Sequence, residues 1–272
     1  MKFSVCNEMF GSMPFVDQVR LLKAKDFDGI ELSPFYLCDD GPFVRESLLK
    51  ETRLILEGEG LEFAGIHWLL SYPAGFQIAT EDKKERERAA EQLKRIADCS
   101  FYLGGGNLIL GSPNQRTAIP PVTVKDAERW LEEVIREVAV HLDEEDLSYL
   151  CIEPLTRSQT NVVNSVFAAA NLATRIASPR VVTMLDYHNT ADETEDIETI
   201  IDEYKGLIGH VHANSMDGFA PEFDEMSKKV KRALLRNSYE GWISLEVFNV
   251  KDPIGELEKY IEYVELFKKF GI

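Results

Sequence analysis

Eight short apolar runs, separated by longer amphipathic stretches, constrain this chain more than any other feature of its sequence. They are Phe3–Cys6, Gly29–Leu32, Leu61–Ile66, Asn107–Leu110, Tyr149–Glu153, Val181–Asp186, Leu207–His212 and Trp242–Val247. Apolar runs this short, without strict alternation, read as strands covered on both faces. Between them the period changes to that of a helix. Ala127, Trp130, Leu131, Val134, Ile135, Val138 and Leu142 trace one stripe, and Ile197, Ile200, Ile201 and Tyr204 trace another. A third stripe, Ile254, Leu257, Ile261 and Val264, follows Asp252-Pro253, an N-cap and a proline suited to the first helical position.

Eight strands alternating with about eight helices predict an α/β fold closed as a (β/α)8 TIM barrel, one domain over residues 1–272. An open doubly wound sheet would need a glycine-rich phosphate loop after an early strand. Gly104-Gly105-Gly106 instead precedes a strand, as a helix-to-strand turn does. The mixed-sign run Glu81–Arg88 reads as the solvated opening of a helix. Gly111–Thr123, with three prolines and no periodicity, is the longest irregular connection and belongs near the functional site.

Composition narrows the partners. Thirty basic residues face 47 acidic ones, a net charge of −17, which repels phosphate backbones and anionic membranes. No apolar run approaches the roughly 18 residues that span a bilayer. The opening Met1-Lys2-Phe3-Ser4-Val5-Cys6-Asn7-Glu8 reaches a carboxylate too early for a signal peptide. Cys6, Cys38, Cys99 and Cys151 form no C-x-x-C pair, so reduced thiols in a cytoplasmic protein are expected. The expected partner is a small sugar or polyol, with neither nucleic acid nor membrane. Homo-oligomerisation is left open.

In a barrel the working groups stand at the C-terminal ends of the strands. The last polar residues of strands five to eight are Glu153, Asp186, His212 and Glu246, at intervals of 33, 26 and 34 residues, each about one β-loop-α-loop unit. Four consecutive units thus deliver one candidate metal ligand each to a single rim. Singly, each has a plain reading as a helix cap or a packed histidine; together they point to one divalent ion. Three carboxylates and an imidazole favour Mn²⁺, with Mg²⁺ or Co²⁺ as alternatives, over thiolate-rich zinc chemistry. Carboxylates this close would repel one another without a cation.

Ile152-Glu153-Pro154-Leu155-Thr156-Arg157-Ser158-Gln159-Thr160-Asn161 resembles the strand-five metal segment of ketose 3-epimerases of the D-tagatose/D-psicose type. These belong to the sugar phosphate isomerases and epimerases of the xylose-isomerase-like TIM-barrel superfamily. Leu185-Asp186-Tyr187-His188, Gly209-His210-Val211-His212 and Tyr239 to Phe248 resemble its next three strands. The resemblance implies that Glu153, Asp186, His212 and Glu246 hold the metal and that Glu153 and Glu246 double as the acid/base pair. It implies substrate contacts for His188 and Gln159. Three positions depart from it. His188 stands two residues after Asp186 instead of three, Gln159 replaces a glutamate, and Gly218 replaces an arginine six residues after His212. All three bear on substrate recognition and none on the metal.

His67 ends the third strand and matches a histidine-bearing segment common in that superfamily, which gives it a substrate-side or supporting role set against that of a packed histidine. Asn7, Glu8 and Glu31 are weaker candidates for the pocket floor. Trp68, Tyr72 and Phe248 could present a flat face to a sugar. His210, two before His212, reads as a structural hydrogen-bonding residue. The leading function is a metal-dependent sugar isomerase or epimerase, moving a proton next to a ketose carbonyl through a metal-bound enediolate. The alternative is a dehydratase of a keto-inositol or dehydroshikimate-type substrate on the same site. An endonuclease IV-like nuclease would need further histidines for a zinc cluster, which are missing after Gly111-Ser112-Pro113 and in Ala213–Glu222. A phosphate subsite finds no glycine-rich nest after the last two strands.

Overall fold

The computed structural model describes residues 1–38, 44–145, 147–248 and 250–271. Its strands are β1 (Lys2–Cys6), β2 (Gly29–Leu32), β3 (Glu62–Ile66), β4 (Asn107–Leu110), β5 (Tyr149–Ile152), β6 (Val181–Asp186), β7 (Ile208–Ala213) and β8 (Trp242–Leu245). All pair in parallel in chain order, and β1 closes on β8 with Val5 opposite Leu245. The barrel expected from the alternating runs is the one observed. Strand ends differ from the expected ones by a residue or two. Glu153, Glu246 and Val247 fall just beyond β5 and β8, because hydrogen bonding stops where the chain turns into the βα loops.

Ten helices accompany the strands among the described residues: α1 (Phe15–Ala24), α2 (Pro34–Leu37), α3 (Glu46–Glu59), α4 (Lys83–Tyr102), α5 (Pro113–Arg116), α6 (Val124–Glu145), α7 (Val166–Ile176), α8 (Ile197–Glu203), α9 (Glu225–Arg236) and α10 (Pro253–Lys269). The stripe from Ala127 to Leu142 is buried along α6, as its period requires. Asp252 caps α10 by accepting from Gly255 N, with Pro253 at the first turn. Gly104 and Gly105 take left-handed φ values of 110° and 84° between α4 and β4, the helix-to-strand turn read from the sequence. The stretch Gly111–Thr123 holds one turn of helix, α5. All four cysteines are buried as thiols.

Inside the barrel, side chains fall into two groups. Ile109, Cys151, Val182 and Met184, from β4, β5 and β6, form a small apolar cluster of their own. Ser4, Glu31, His210 and Ser244, from β1, β2, β7 and β8, and His67 just after β3, are buried and polar. The candidate site stands at the mouth above both.

Candidate metal centre

Glu153, Asp186, His212 and Glu246 are all buried, and one ligand atom from each lies within 4.8 Å of the others. Strand parity explains the convergence. Side chains two apart on a strand share a face, so His210 and His212 both enter the barrel and the carboxylates ending the neighbouring strands meet His212 at its top. His212 Nδ1 lies 3.0 Å from Glu246 Oε2 and 3.6 Å from Asp186 Oδ2, without a well-aligned hydrogen bond to either.

Two asparagines hold the carboxylates in place. Asn189 donates its backbone N–H to Asp186 Oδ1 at 2.9 Å and its amide to Glu153 Oε1 at 3.1 Å. Asn214 donates to Asp186 Oδ2 at 3.1 Å. Buried Arg116 donates to the backbone oxygen of Glu153 at 2.7 Å, and burial lowers its guanidinium to about 10. Gly111 sits where an added Cβ would lie 2.1 Å from Glu153 Oε2, so only a glycine leaves room for that carboxylate. The Gly111–Thr123 connection therefore lies against the site, as its length suggested.

Crowding sets the electrostatics. Burial, with Glu246 and Asp186 close by, pushes Glu153 up to about 8. Burial also raises Glu246, although His212 pulls the other way. Burial opposes a charge on His212, yet the carboxylates of Glu246 and Glu31 lift it well above the usual histidine range. The site thus draws positive charge to His212 Nδ1 and the oxygens around it. A divalent cation answers the same demand, and the oxygen-rich donor set with one borderline nitrogen suits Mn²⁺, Mg²⁺ or Co²⁺. The residues present fit the ion.

Glu31, read weakly from sequence, stands at the centre of the polar group. Its Oε1 is 3.1 Å from both His67 Nδ1 and His212 Nε2; its Oε2 is 2.9 Å from His210 Nε2 and accepts from Ser244 Oγ at 2.7 Å. Burial alone would raise Glu31, but His210 and His212 hold it well below the usual carboxylate range. Its signal in sequence was an acidic residue in an otherwise apolar strand. His210 has the structural role expected of it, with Nδ1 2.9 Å from the Asn107 amide. His67 lies between two acids, its Nε2 2.9 Å from Glu8 Oε2. Burial disfavours its charge, but Cys6, Glu8 and Glu31 lift it well above the usual range. Asn189, Asn214 and Arg116 were missed, because they act from loops and short helical turns and only the folded chain brings them to the carboxylates.

His188 Nδ1 lies 2.7 Å from Met216 O, so that nitrogen carries the proton and Nε2 is left as an acceptor. Its ring meets Phe248 at 5.9 Å, edge to face, and Phe248 stacks with Trp68 at 6.4 Å. Tyr72 stands one ring further out, packed on Phe35. Gly218 has φ 77°, and an added Cβ would lie 2.6 Å from Phe248 Cδ2, so the glycine lets the aromatic ring lie over that loop. Gln159 lies in the loop after β5, its amide oxygen buried with no hydrogen-bond partner among the described residues. Cavities of about 480 Å³ each open on either side of Glu8, one lined by Trp68, Val247 and Lys251, the other by Asn7, Ser33 and Phe35.

Residues 19–270 match the family described as Xylose isomerase-like TIM barrel. A probable ketose 3-epimerase from Synechocystis sp. is 25% identical over 250 residues, 90% of this chain and 82% of the relative. A 3-dehydro-D-guloside 4-epimerase from Escherichia coli is 21% identical over 260 residues, 90% of this chain and 92% of the relative. The crystal structure of D-psicose 3-epimerase with D-tagatose from Clostridium cellulolyticum superposes with a TM-score of 0.85, covering 98% of each chain at 15% identity. No described helix is long and apolar enough to cross a membrane. The chain belongs to the Xylose isomerase-like TIM barrel family and is an enzyme whose curated relatives are epimerases.

Proposed function

We propose that the protein is a divalent-metal-dependent sugar epimerase that inverts the carbon next to a carbonyl. The observation that carries this reading is His212, buried, with Nε2 engaged by Glu31 and Nδ1 left among the carboxylates of Asp186 and Glu246 beside Glu153. Glu153, Asp186, His212 and Glu246 are the residues that would hold the ion, with Mn²⁺ the best match to their donors. When bound, the ion supplies Lewis-acid stabilisation of the negative charge that develops at the carbonyl oxygen.

The relatives' names share one piece of chemistry. A ketose 3-epimerase and a 3-dehydro-guloside 4-epimerase both act on the carbon adjacent to a ketone. That proton is the one a carboxylate base removes most easily, since the charge left behind spreads onto the carbonyl oxygen. Glu246, next to His212, takes the proton. Glu153 returns one from the other side. His188 offers an acceptor at Nε2 and Gln159 an unpartnered amide oxygen, both suited to sugar hydroxyls. Glu8 lines the cavity with His67 buried behind it as a supporting group, and Trp68 and Phe248 give the sugar an apolar face. Because Gly218 and Gln159 replace charged groups of the D-psicose type, the preferred ketose differs from the ordinary free ketohexoses.

Metal analysis of the purified protein, followed by epimerase assays before and after chelation and Mn²⁺ add-back, tests the proposal. About one ion per chain and activity restored by Mn²⁺ are expected. Full turnover in the stripped protein would remove the ion from the mechanism.

A further inference from the structure

We infer that Glu31 is a positioning residue, the acceptor that fixes His212 with its proton on Nε2 and its Nδ1 lone pair toward the metal. The inference rests on the functional reading above and concerns β2, on the opposite side of the barrel from the four candidate ligands.

Glu31 is fully buried and faces more donors than a structural carboxylate needs. Four groups converge on its two oxygens, two of them at 3.1 Å on Oε1, from His67 Nδ1 and His212 Nε2. On Oε2 stand His210 Nε2 at 2.9 Å and Ser244 Oγ at 2.7 Å. The tautomer of His210 is fixed independently. The Asn107 amide nitrogen, which donates to Gly209 O at 3.0 Å, also lies 2.9 Å from His210 Nδ1, so Nδ1 accepts and Nε2 carries the proton, donating to Ser244 Oγ at 3.1 Å with Glu31 Oε2 close by. Ser244 donates to Oε2, His212 Nε2 is hydrogen-bonded to Oε1, and a carboxylate oxygen only accepts. His212 must therefore place a proton on Nε2, which frees Nδ1 for the ion. A ligating histidine whose other ring nitrogen donates to a carboxylate is held in both tautomer and orientation, and it is a stronger donor to the metal. Asn107, Glu31 and His210 thus form a template behind the site that sets how one ligand is presented to it.

The test uses the full chain, ¹⁵N-labelled at histidine and loaded with diamagnetic Cd²⁺. The ¹⁵N spectrum of the wild-type protein should show His212 with its proton on Nε2 and cadmium on Nδ1. Glu31→Gln leaves one oxygen acceptor in place of two and removes the charge, and Glu31→Ala leaves none. Mn²⁺ affinity by titration should fall about 10- to 100-fold, more in the alanine variant than in the glutamine one. The Nε2 proton of His212 should broaden or move in both. Tyr260→Phe, which removes a buried hydroxyl donating to Ile243 O in the barrel wall, controls for general loosening. It should lower the melting temperature while leaving the His212 spectrum and Mn²⁺ affinity unchanged. Should Glu31→Ala fail to fold, the glutamine variant and the wild-type spectrum still decide. Cadmium on Nε2, or unchanged Mn²⁺ affinity in folded Glu31→Gln, would overturn the inference while leaving the metal site standing. A wild-type protein that takes up no divalent ion would overturn the functional reading and this one together.

Discussion

Glu153 and Glu31 are both buried carboxylates inside one barrel, yet their surroundings drive them in opposite directions. Glu153 rises above the arc of β4, β5 and β6, where Ile109, Cys151, Val182 and Met184 pack as an apolar cluster. Burial and two neighbouring acids push it up to about 8. Glu31 lies in the arc completed by β1, β3, β7 and β8, where imidazoles and a serine hydroxyl supply donors and hold it well below the usual range. Desolvation opposes charge in both places, so what differs is the company each group keeps. A barrel can keep one acid protonated and another ionised within one water-poor interior. Of the two, only Glu153 belongs to the proposed acid/base pair, with Glu246, while Glu31 keeps its charge as the acceptor facing His212 Nε2.

The largest effect is expected from disabling the base, Glu246, without touching its surroundings. Glu246→Gln keeps the size and one ligating oxygen but removes the proton acceptor, so kcat should fall by at least about 100-fold. Metal affinity should weaken less, and the melting curve should stay cooperative. Near-normal turnover in that variant would assign Glu246 to structure alone.

A smaller effect is expected from Gly111→Ala. The added methyl would stand 2.1 Å from Glu153 Oε2 and must displace the carboxylate. A misplacement on the order of 1 Å costs about 10- to 100-fold in kcat/KM. Equal activity in a folded Gly111→Ala protein would show that Glu153 need not occupy its observed position.

The two arcs also predict a direction for stability with pH. Glu153 has a folded value of about 8, above its ordinary one, so the folded state keeps a proton that the unfolded chain releases. Its contribution is fully present below the ordinary carboxylate range and is lost as pH climbs toward that value. His67 and His212 are raised as well, and their contributions are lost as pH rises through their folded values. Glu31 works in the opposite sense, but it titrates below the ordinary carboxylate range. Chelated protein should therefore melt lower at about pH 8.5 than at about pH 6, by on the order of 5 °C, and Mn²⁺ should narrow the gap by replacing the protons. Melting that rises over that interval would contradict the proposed electrostatics.

The eight runs and the stripe on α6 made the barrel legible, because burial on two faces and burial on one leave different periods in a sequence. The four strand-end residues stood out for a related reason, since unit spacing survives as sequence spacing. Glu31 was visible only as an acid in an apolar strand. Its importance comes from His67, His210 and His212 on strands far away in the chain, and no local pattern carries that. Asn189, Asn214 and Arg116 were harder still. Each lies in a loop or a single helical turn where polar residues are ordinary, and only closure of the barrel aims them at Asp186 and Glu153. Strand ends were misjudged by a residue or two at Glu153 and Val247, where inward alternation continues after hydrogen bonding has stopped.

The proposed reaction moves a proton on the carbon next to a carbonyl, at carboxylates that would hold a divalent ion. It is tested most directly by incubating the Mn²⁺-loaded protein in D₂O with a panel of ketoses, deoxy-ketoses, keto-glycosides and keto-inositols. Deuterium should appear at that carbon, with inverted configuration and the sugar otherwise intact, because a carboxylate that has taken a proton exchanges it with solvent. No exchange on any member of the panel with the ion bound, or loss of water seen as a mass decrease with a new conjugated absorbance, would contradict the account.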